Sequence, residues 1–193
     1  MKLKKIKTFS LFLGSIFFLQ GCIAAAIVGG AAATKVATDP RTVGTQVDDE
    51  TLEIRVKNAI NNDAQLKQEG RVEVVSYSGR ILLIGQVPND NLKNIATSLA
   101  KGAEGVTDVY NELRIGQPIP LLQRSKDSWI TTKIKSELLV NSKVKTTSVK
   151  AITEDGEVFL MGNLTQAQSD AASDVARNIS GVKKVVRVFN YIQ

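Results

Sequence analysis

Between residues 48 and 193 the apolar positions change period in a fixed order, and that order occurs twice. Leu52, Val56 and Ile60 recur every fourth residue, which lays one apolar stripe along a helix. An extended run follows at 72–77. Ser78-Gly79 then supplies the positive backbone angles of a tight hairpin leading into a second run at 80–87. A second helix is expected at 89–101, closed by Gly102 or Gly105, and a last strand at 106–115. In the second half Ile130, Ile134 and Leu138 repeat the stripe, and runs at 147–153 and 157–164 flank Asp155-Gly156. A helix at 165–179 closes at Gly181, and a strand at 182–192 completes the copy. The pattern predicts an α+β fold of two tandem αββαβ units, each a three-stranded mixed sheet with two helices on one face. The first helices are expected to start at Asp48 or Asp49 and at Ser125 or Asp127, whose short side chains can accept from free backbone N–H groups.

The central runs Ile81-Leu82-Leu83-Ile84 and Val158-Phe159-Leu160-Met161 are apolar without alternation, so both faces of each sheet should be covered. The helices can cover one face only. The other is expected to meet the sister unit, so that the two copies pack together. The linker, 116–123, is short and stiffened by Pro118 and Pro120.

Ahead of the repeats the pattern is of another kind. Lys2, Lys4, Lys5 and Lys7 precede an apolar stretch at 8–20 that is shorter than the about 20 residues a membrane span needs. Gly21 and Cys22, the single cysteine of the chain, come next. The arrangement resembles a bacterial lipobox, with Gln20 where a small residue is more usual. The resemblance implies that residues 1–21 are a signal peptide and that the Cys22 thiol takes a diacylglyceryl group. In the resembled sorting system an aspartate after the cysteine retains a lipoprotein at the inner membrane; Ile23 stands there, which implies the outer membrane. Residues 22–47, rich in Ala, Gly and Thr, bury too little apolar area to order themselves and are read as a flexible lipidated tether.

Charge and chemistry narrow the function. The formal charge is +6, but without the four signal lysines Lys+Arg 21 stand against Asp+Glu 19. The unit at 48–115 is acidic and the stretch from 116 onward basic. There is no histidine, and the one thiol is assigned to lipidation, so neither His-based acid–base chemistry nor a cysteine zinc cluster is available. No enzyme activity is expected, and no cofactor beyond the covalent lipid on Cys22. The modest positive excess, the lack of a nucleic-acid motif and the export signal argue against nucleic acid.

Two αββαβ units of this size, each with a glycine late in the second strand (Gly85, Gly162) and a Gly-Val opening the last strand (Gly105-Val106, Gly181-Val182), resemble BON domains. The stretches 127–133 and 156–162 carry the likeness most specifically. With the lipobox and tether, the whole chain resembles the dual-BON-domain outer-membrane lipoproteins, with BON domains at 48–115 and 124–193. The resemblance implies an envelope protein, facing the periplasm, that binds anionic phospholipid through its second domain, gathers at the division site and supports outer-membrane integrity.

Comparing the copies isolates residues that the core does not require. Trp129, Leu139 and Val140 point away from the Ile130–Ile134–Leu138 stripe, and their counterparts are Thr51, Asn61 and Asn62. Lys126, Lys133 and Lys135 lie near them, with Ile119, Leu121 and Leu122 just upstream. Trp and Lys around an apolar strip suit a membrane interface, where the ring sits at headgroup depth. Lys143, Lys145, Lys183, Lys184 and Arg187 are read mostly as solvated surface that adds to the positive field. The competing reading buries Trp129, Leu139 and Val140 against the first unit or the linker. A third reading is a tethered scaffold for protein or peptidoglycan without a lipid site. The acidic helix start Asp48, Asp49, Glu50 and Glu53 would then face an envelope or division protein, although acidic residues at a helix start more often serve the dipole.

Overall fold

The computed structural model of the chain describes residues 43–144 and 146–193. The signal segment, Cys22 and tether positions 22–42 lie outside the described residues, as does Lys145. The first unit comprises helix α1 (Val43–Asn62), a short α2 (Ala64–Glu69), strands β1 (Arg71–Tyr77) and β2 (Arg80–Val87), α3 (Asp90–Lys101), β3 (Asp108–Asn111) and β4 (Arg114–Ile115). The second comprises α4 (Leu121–Val140), a 3-10 turn (Thr146–Ser148), β5 (Val149–Glu154), β6 (Glu157–Leu164), α5 (Gln166–Arg177) and β7 (Lys184–Tyr191). The fold is α+β, with αββαβ twice. In each sheet the hairpin is antiparallel and the last strand runs parallel to the middle one.

Three details differ from the sequence expectation. The first unit's sheet counts four strands, because its last strand is interrupted at Glu112 and Leu113 and resumes as β4 against β2. Helix α2 was not anticipated; Asp63 caps it by accepting from the Gln65 and Leu66 amides at 3.1 and 2.9 Å, and Leu66 is buried. Both long helices also start earlier than expected. Helix α1 already covers 43–47 of the expected tether, and α4 begins directly after Pro120, whose fixed φ suits a helix entrance, within the expected linker.

The early starts place Asp49 and Asp127 inside their helices, where neither caps an end. Each carboxylate instead reaches sideways to the hairpin turn of its own unit. Asp49 accepts from the Ser78 and Gly79 amides at 2.7 and 2.9 Å and from the Ser76 hydroxyl at 2.7 Å. Asp127 accepts from the Asp155 and Gly156 amides at 2.8 and 2.9 Å and from the Gln123 side-chain amide at 3.0 Å. The four turn residues have φ of 52°, 77°, 49° and 75°, the left-handed pair of a two-residue hairpin turn. The turn's amides therefore converge on one buried carboxylate.

The two sheets meet face to face. On β2, Ile81, Leu83 and Val87 face the helices of their own unit, while Leu82 and Ile84 join Val75 and Tyr77 on the opposite face. On β6, Val158, Leu160 and Leu164 face the helices, and Phe159 and Met161 join Val188 on the other. The two outer faces form one shared apolar cluster, closing the surface that the uninterrupted apolar runs left uncovered. Polar groups frame it. Arg80, only 7% exposed, donates to the Val188 and Gly162 carbonyls at 3.4 and 3.3 Å and to the Asn163 side chain at 3.0 Å. Glu154 accepts from Arg71 and from Gln86, both at 2.6 Å, and Arg114 pairs with Asp155 at 2.8 Å and with Glu157. Gly85 and Gly162 mark close backbone approaches in the hairpins. A Cβ there would lie 1.9 Å from the Arg71 carbonyl oxygen and 2.4 Å from that of Ser148.

Replacing Asp127 by Ala strands two amide donors in a buried turn, each a loss of about 1–3 kcal/mol. The expected cost, read by urea unfolding, is about 2–4 kcal/mol. Asp127→Asn, which keeps one acceptor oxygen, should lose less; a loss under about 0.5 kcal/mol for the alanine variant, the range of ordinary surface changes, would remove the turn clamp from this account.

Candidate interaction groove

Helix α4 buries Ile130, Ile134 and Leu138 against β5 and its sheet, and its other faces meet no part of the first unit's apolar core. At about 100° per residue, Leu122, Trp129, Lys133 and Val140 fall within about 40° of one line along the helix, with Lys126 beside it. The line is solvent-facing: Leu122 is 69% exposed, Trp129 53% and Val140 81%. The indole is not packed between the units.

Beside Trp129 the helix borders a half-open groove of about 480 Å³, lined by Leu122, Lys126, Trp129, Ile130, Ser180 and Lys183 among others. The far wall comes from the loop between α5 and β7. Gly181, with φ of 91°, brings it close enough that a Cβ there would lie 3.1 Å from Ile130 Cδ1. The groove is therefore a product of glycine at this position. Among the described residues neither Lys126 nor Lys133 has an ion-pair partner. Lys183 is paired with Asp155 at 3.0 Å. Burial alone would raise the Asp155 carboxyl, but the hydrogen bond and charge of Lys183, with Arg114 behind them, hold it below the usual carboxylate range.

The expected residues separate. Lys126, Lys133, Trp129 and Val140 share the exposed line. Leu121 and Leu139, both exposed, lie about 100° further round the helix. Lys135 faces the other way, onto a polar depression shared with Arg71, Arg124 and Glu154, so the fold does not bring it to the indole. Ile119 is half-buried, and its amide donates to the Gln86 side chain of the first unit at 3.1 Å, which ties it to the junction between the units. Sequence reasoning missed the loop wall. Lys183 replaces Thr107 of the first copy, a difference visible in the alignment of the repeats, but its position across from Trp129 depends on how the loop folds over the helix. Lys184 and Arg187 pair with Glu157 and Asp170 at 3.9 and 2.8 Å, so much of the remaining basic surface is already compensated.

The first unit has a groove of about 370 Å³ in the same place, lined by Asp48, Thr51, Leu52, Ser78, Glu104 and Gly105 among others. Arg55 crosses it to bond the Glu104 carbonyl. At matching positions Lys126, Trp129, Ser180 and Lys183 of the second copy stand where the first has Asp48, Thr51, Glu104 and Thr107, while Ile130 and Lys133 keep their character as Leu52 and Arg55. Among the described residues there is no cluster of three or more His, Cys, Asp or Glu able to hold a metal ion, and no helix long and apolar enough to cross a membrane.

Fold and grooves thus define a duplicated α+β module, one copy of which has an apolar, cation-edged groove. Residues 48–117 and 126–193 each match the BON domain family, and the chain belongs to that family. It is 60% identical over 192 residues to the outer membrane lipoprotein DolP of Haemophilus influenzae, covering all of both chains. It is 60% identical over 155 residues to a 21 kDa hemolysin of Actinobacillus pleuropneumoniae, covering 80% of each. The osmotically-inducible protein Y of Escherichia coli is 32% identical over 157 residues, covering 80% of this chain and 78% of that one.

Because Trp129 is 53% exposed and belongs to none of the three apolar clusters among the described residues, Trp129→Glu should change unfolding free energy by about 0.5 kcal/mol or less, the range of ordinary surface changes. A loss above about 2 kcal/mol in urea titration would show instead that the indole supports the fold.

Proposed function

We propose that the protein is an outer-membrane lipoprotein, anchored through Cys22, whose second BON domain docks on anionic phospholipid and which thereby supports envelope integrity, with enrichment at the division site. The relationship to an outer membrane lipoprotein over the full length supports the compartment and the anchor. The observation that carries the lipid reading is the exposed Trp129 flanked by Lys126 and Lys133, which have no ion-pair partner among the described residues, on the copy whose twin has Thr51, Asp48 and an Arg55 already bonded to the Glu104 carbonyl at the corresponding positions. An indole settles at headgroup depth with its ring among the upper acyl carbons. Each lysine near an anionic surface adds about 1 kcal/mol, so the two together supply about 2 kcal/mol beyond the indole's own partitioning. That is a weak site in free solution. The Cys22 lipid makes it sufficient, because a tethered domain samples the membrane at high effective concentration.

The test separates docking from folding. With Cys22 left unacylated, vesicles of phosphatidylglycerol should retain the protein and vesicles of phosphatidylcholine should not. Trp129→Glu should abolish retention at unchanged melting temperature, and Lys126→Ala with Lys133→Ala should weaken it by about tenfold or more, with less effect at high salt. Undiminished retention of the Trp129→Glu protein would leave the tethered scaffold for protein or peptidoglycan as the better reading.

A further inference from the structure

Lys183 is built into the groove beside Trp129, but its charge is already engaged. Its side chain is 60% exposed, and its ammonium meets Asp155 Oδ1 at 3.0 Å. Its stem runs over the hairpin glycine: a Cβ on Gly156 would lie 3.0 Å from both Cγ and Cδ of Lys183, so the stem packs closely on the turn. The other oxygen of Asp155, Oδ2, meets Arg114 Nη1 at 2.8 Å, and Arg114 belongs to the first unit. Asp155 is fixed from behind by Asp127, which holds its amide at 2.8 Å. One carboxylate thus shares two cations, one lining the groove and one reaching across the junction between the units.

Resting on the lipid-docking reading above, we propose that Lys183 is a switchable headgroup cation: the groove takes the phosphodiester of one anionic lipid between Lys126 and Lys183, Asp155 holds Lys183 back when no lipid is present, and Arg114 sets how firmly. The chemistry is an exchange of one anion for another around an exposed ammonium. Exposed ion pairs are weak, so a lipid phosphate can compete with Asp155 for Lys183. The exchange leaves no orphaned charge, because Arg114 still meets Asp155 after Lys183 has turned away. Without Arg114 the carboxylate would have Lys183 as its remaining side-chain cation partner at this turn and would hold it more tightly. The first unit, whose own groove has its cation, Arg55, bonded to the Glu104 carbonyl, therefore contributes to lipid binding through a residue at the junction. The first copy has Thr107 and Ser78 where the second has Lys183 and Asp155, so the device is absent from it.

The single tryptophan makes Trp129 emission a direct reporter. The full acylated protein would be reconstituted in vesicles of phosphatidylcholine containing increasing fractions of phosphatidylglycerol, and the blue shift of Trp129 followed. Lys183→Met should raise the phosphatidylglycerol fraction for half-response by about fivefold, the loss of one cation at an anionic surface. Asp155→Asn, which suits the positive φ of that turn position, should lower it, and Arg114→Gln should raise it. Asp155→Asn should have no effect once Lys183→Met is present, and Asp170→Asn, an equal charge change on the paired surface of α5, should have none at all. If Asp155→Asn tightens the response equally with and without Lys183, general charge explains it and the latch is overturned. A wild-type blue shift unaltered by any of these variants sinks the latch and spares the docking reading, whereas a wild-type protein indifferent to phosphatidylglycerol sinks both. Inorganic phosphate added to pure phosphatidylcholine vesicles should leave the emission unmoved; the full shift with phosphate alone would replace the lipid headgroup by a soluble anion. Should Arg114→Gln lower the melting temperature, the Asp155 and Lys183 variants decide the matter by themselves.

Discussion

Burial on both faces of β2 and β6 is the constraint from which the rest follows. Each sheet has helices on one side only, so Leu82, Ile84, Phe159 and Met161 would stand in water if the units were separate. At about 25 cal/mol per Å² of apolar surface, side chains of this size gain about 1.5–3 kcal/mol each from being covered. Two sheets meeting face to face cover them all at once. The same choice turns both pairs of helices outward, so the outer face of α4 is left to solvent and its apolar line has no partner within the described residues.

The frame around the shared cluster is polar and specific where the cluster is only greasy. Arg80 is buried with its guanidinium on backbone carbonyls and the Asn163 side chain, so a shifted register between the sheets would leave a buried cation without acceptors. Glu154 does the converse, accepting from Arg71 and Gln86 across the junction. Asp49 and Asp127 operate at shorter range. By binding both turn amides, each joins a helix to its hairpin and so fixes the geometry of the groove between that helix and the loop beside it. These carboxylates make the two grooves superimposable in architecture while their linings diverge.

Divergence after duplication is the source of the functional asymmetry. The groove exists in both copies because glycine at Gly105 and Gly181 allows the loop to approach the first helix, with φ of 94° and 91°. In one copy that space received Asp48, Thr51 and Glu104 with Arg55 bonded across it; in the other, Lys126, Trp129 and Ser180, with Lys183 on the loop wall. A largely polar cleft and an apolar, cationic one then sit on two sheets joined by a shared apolar cluster, which lets a contact at one unit bear on the other through residues such as Arg114.

By itself the sequence determined the αββαβ order, both hairpin turns, the stripe of each first helix and the meeting of the sheets, because these depend on local period, on glycine at positive φ and on uninterrupted apolar runs. It also singled out Trp129, Leu139 and Val140 by contrast with Thr51, Asn61 and Asn62 of the first copy, and Lys126 and Lys133 by their nearness to them. Only tertiary structure decided where the long helices begin, since the reach of Asp49 and Asp127 to a turn about 30 residues away leaves the same local trace as a cap. The helical period already sets Lys135 about 120° round α4 from the indole, but tertiary structure alone brought Lys183 and Arg114 to Asp155. Contacts between residues far apart in the chain are set by how packed elements are oriented, and neither periodicity nor spacing along a single strand of sequence encodes that orientation.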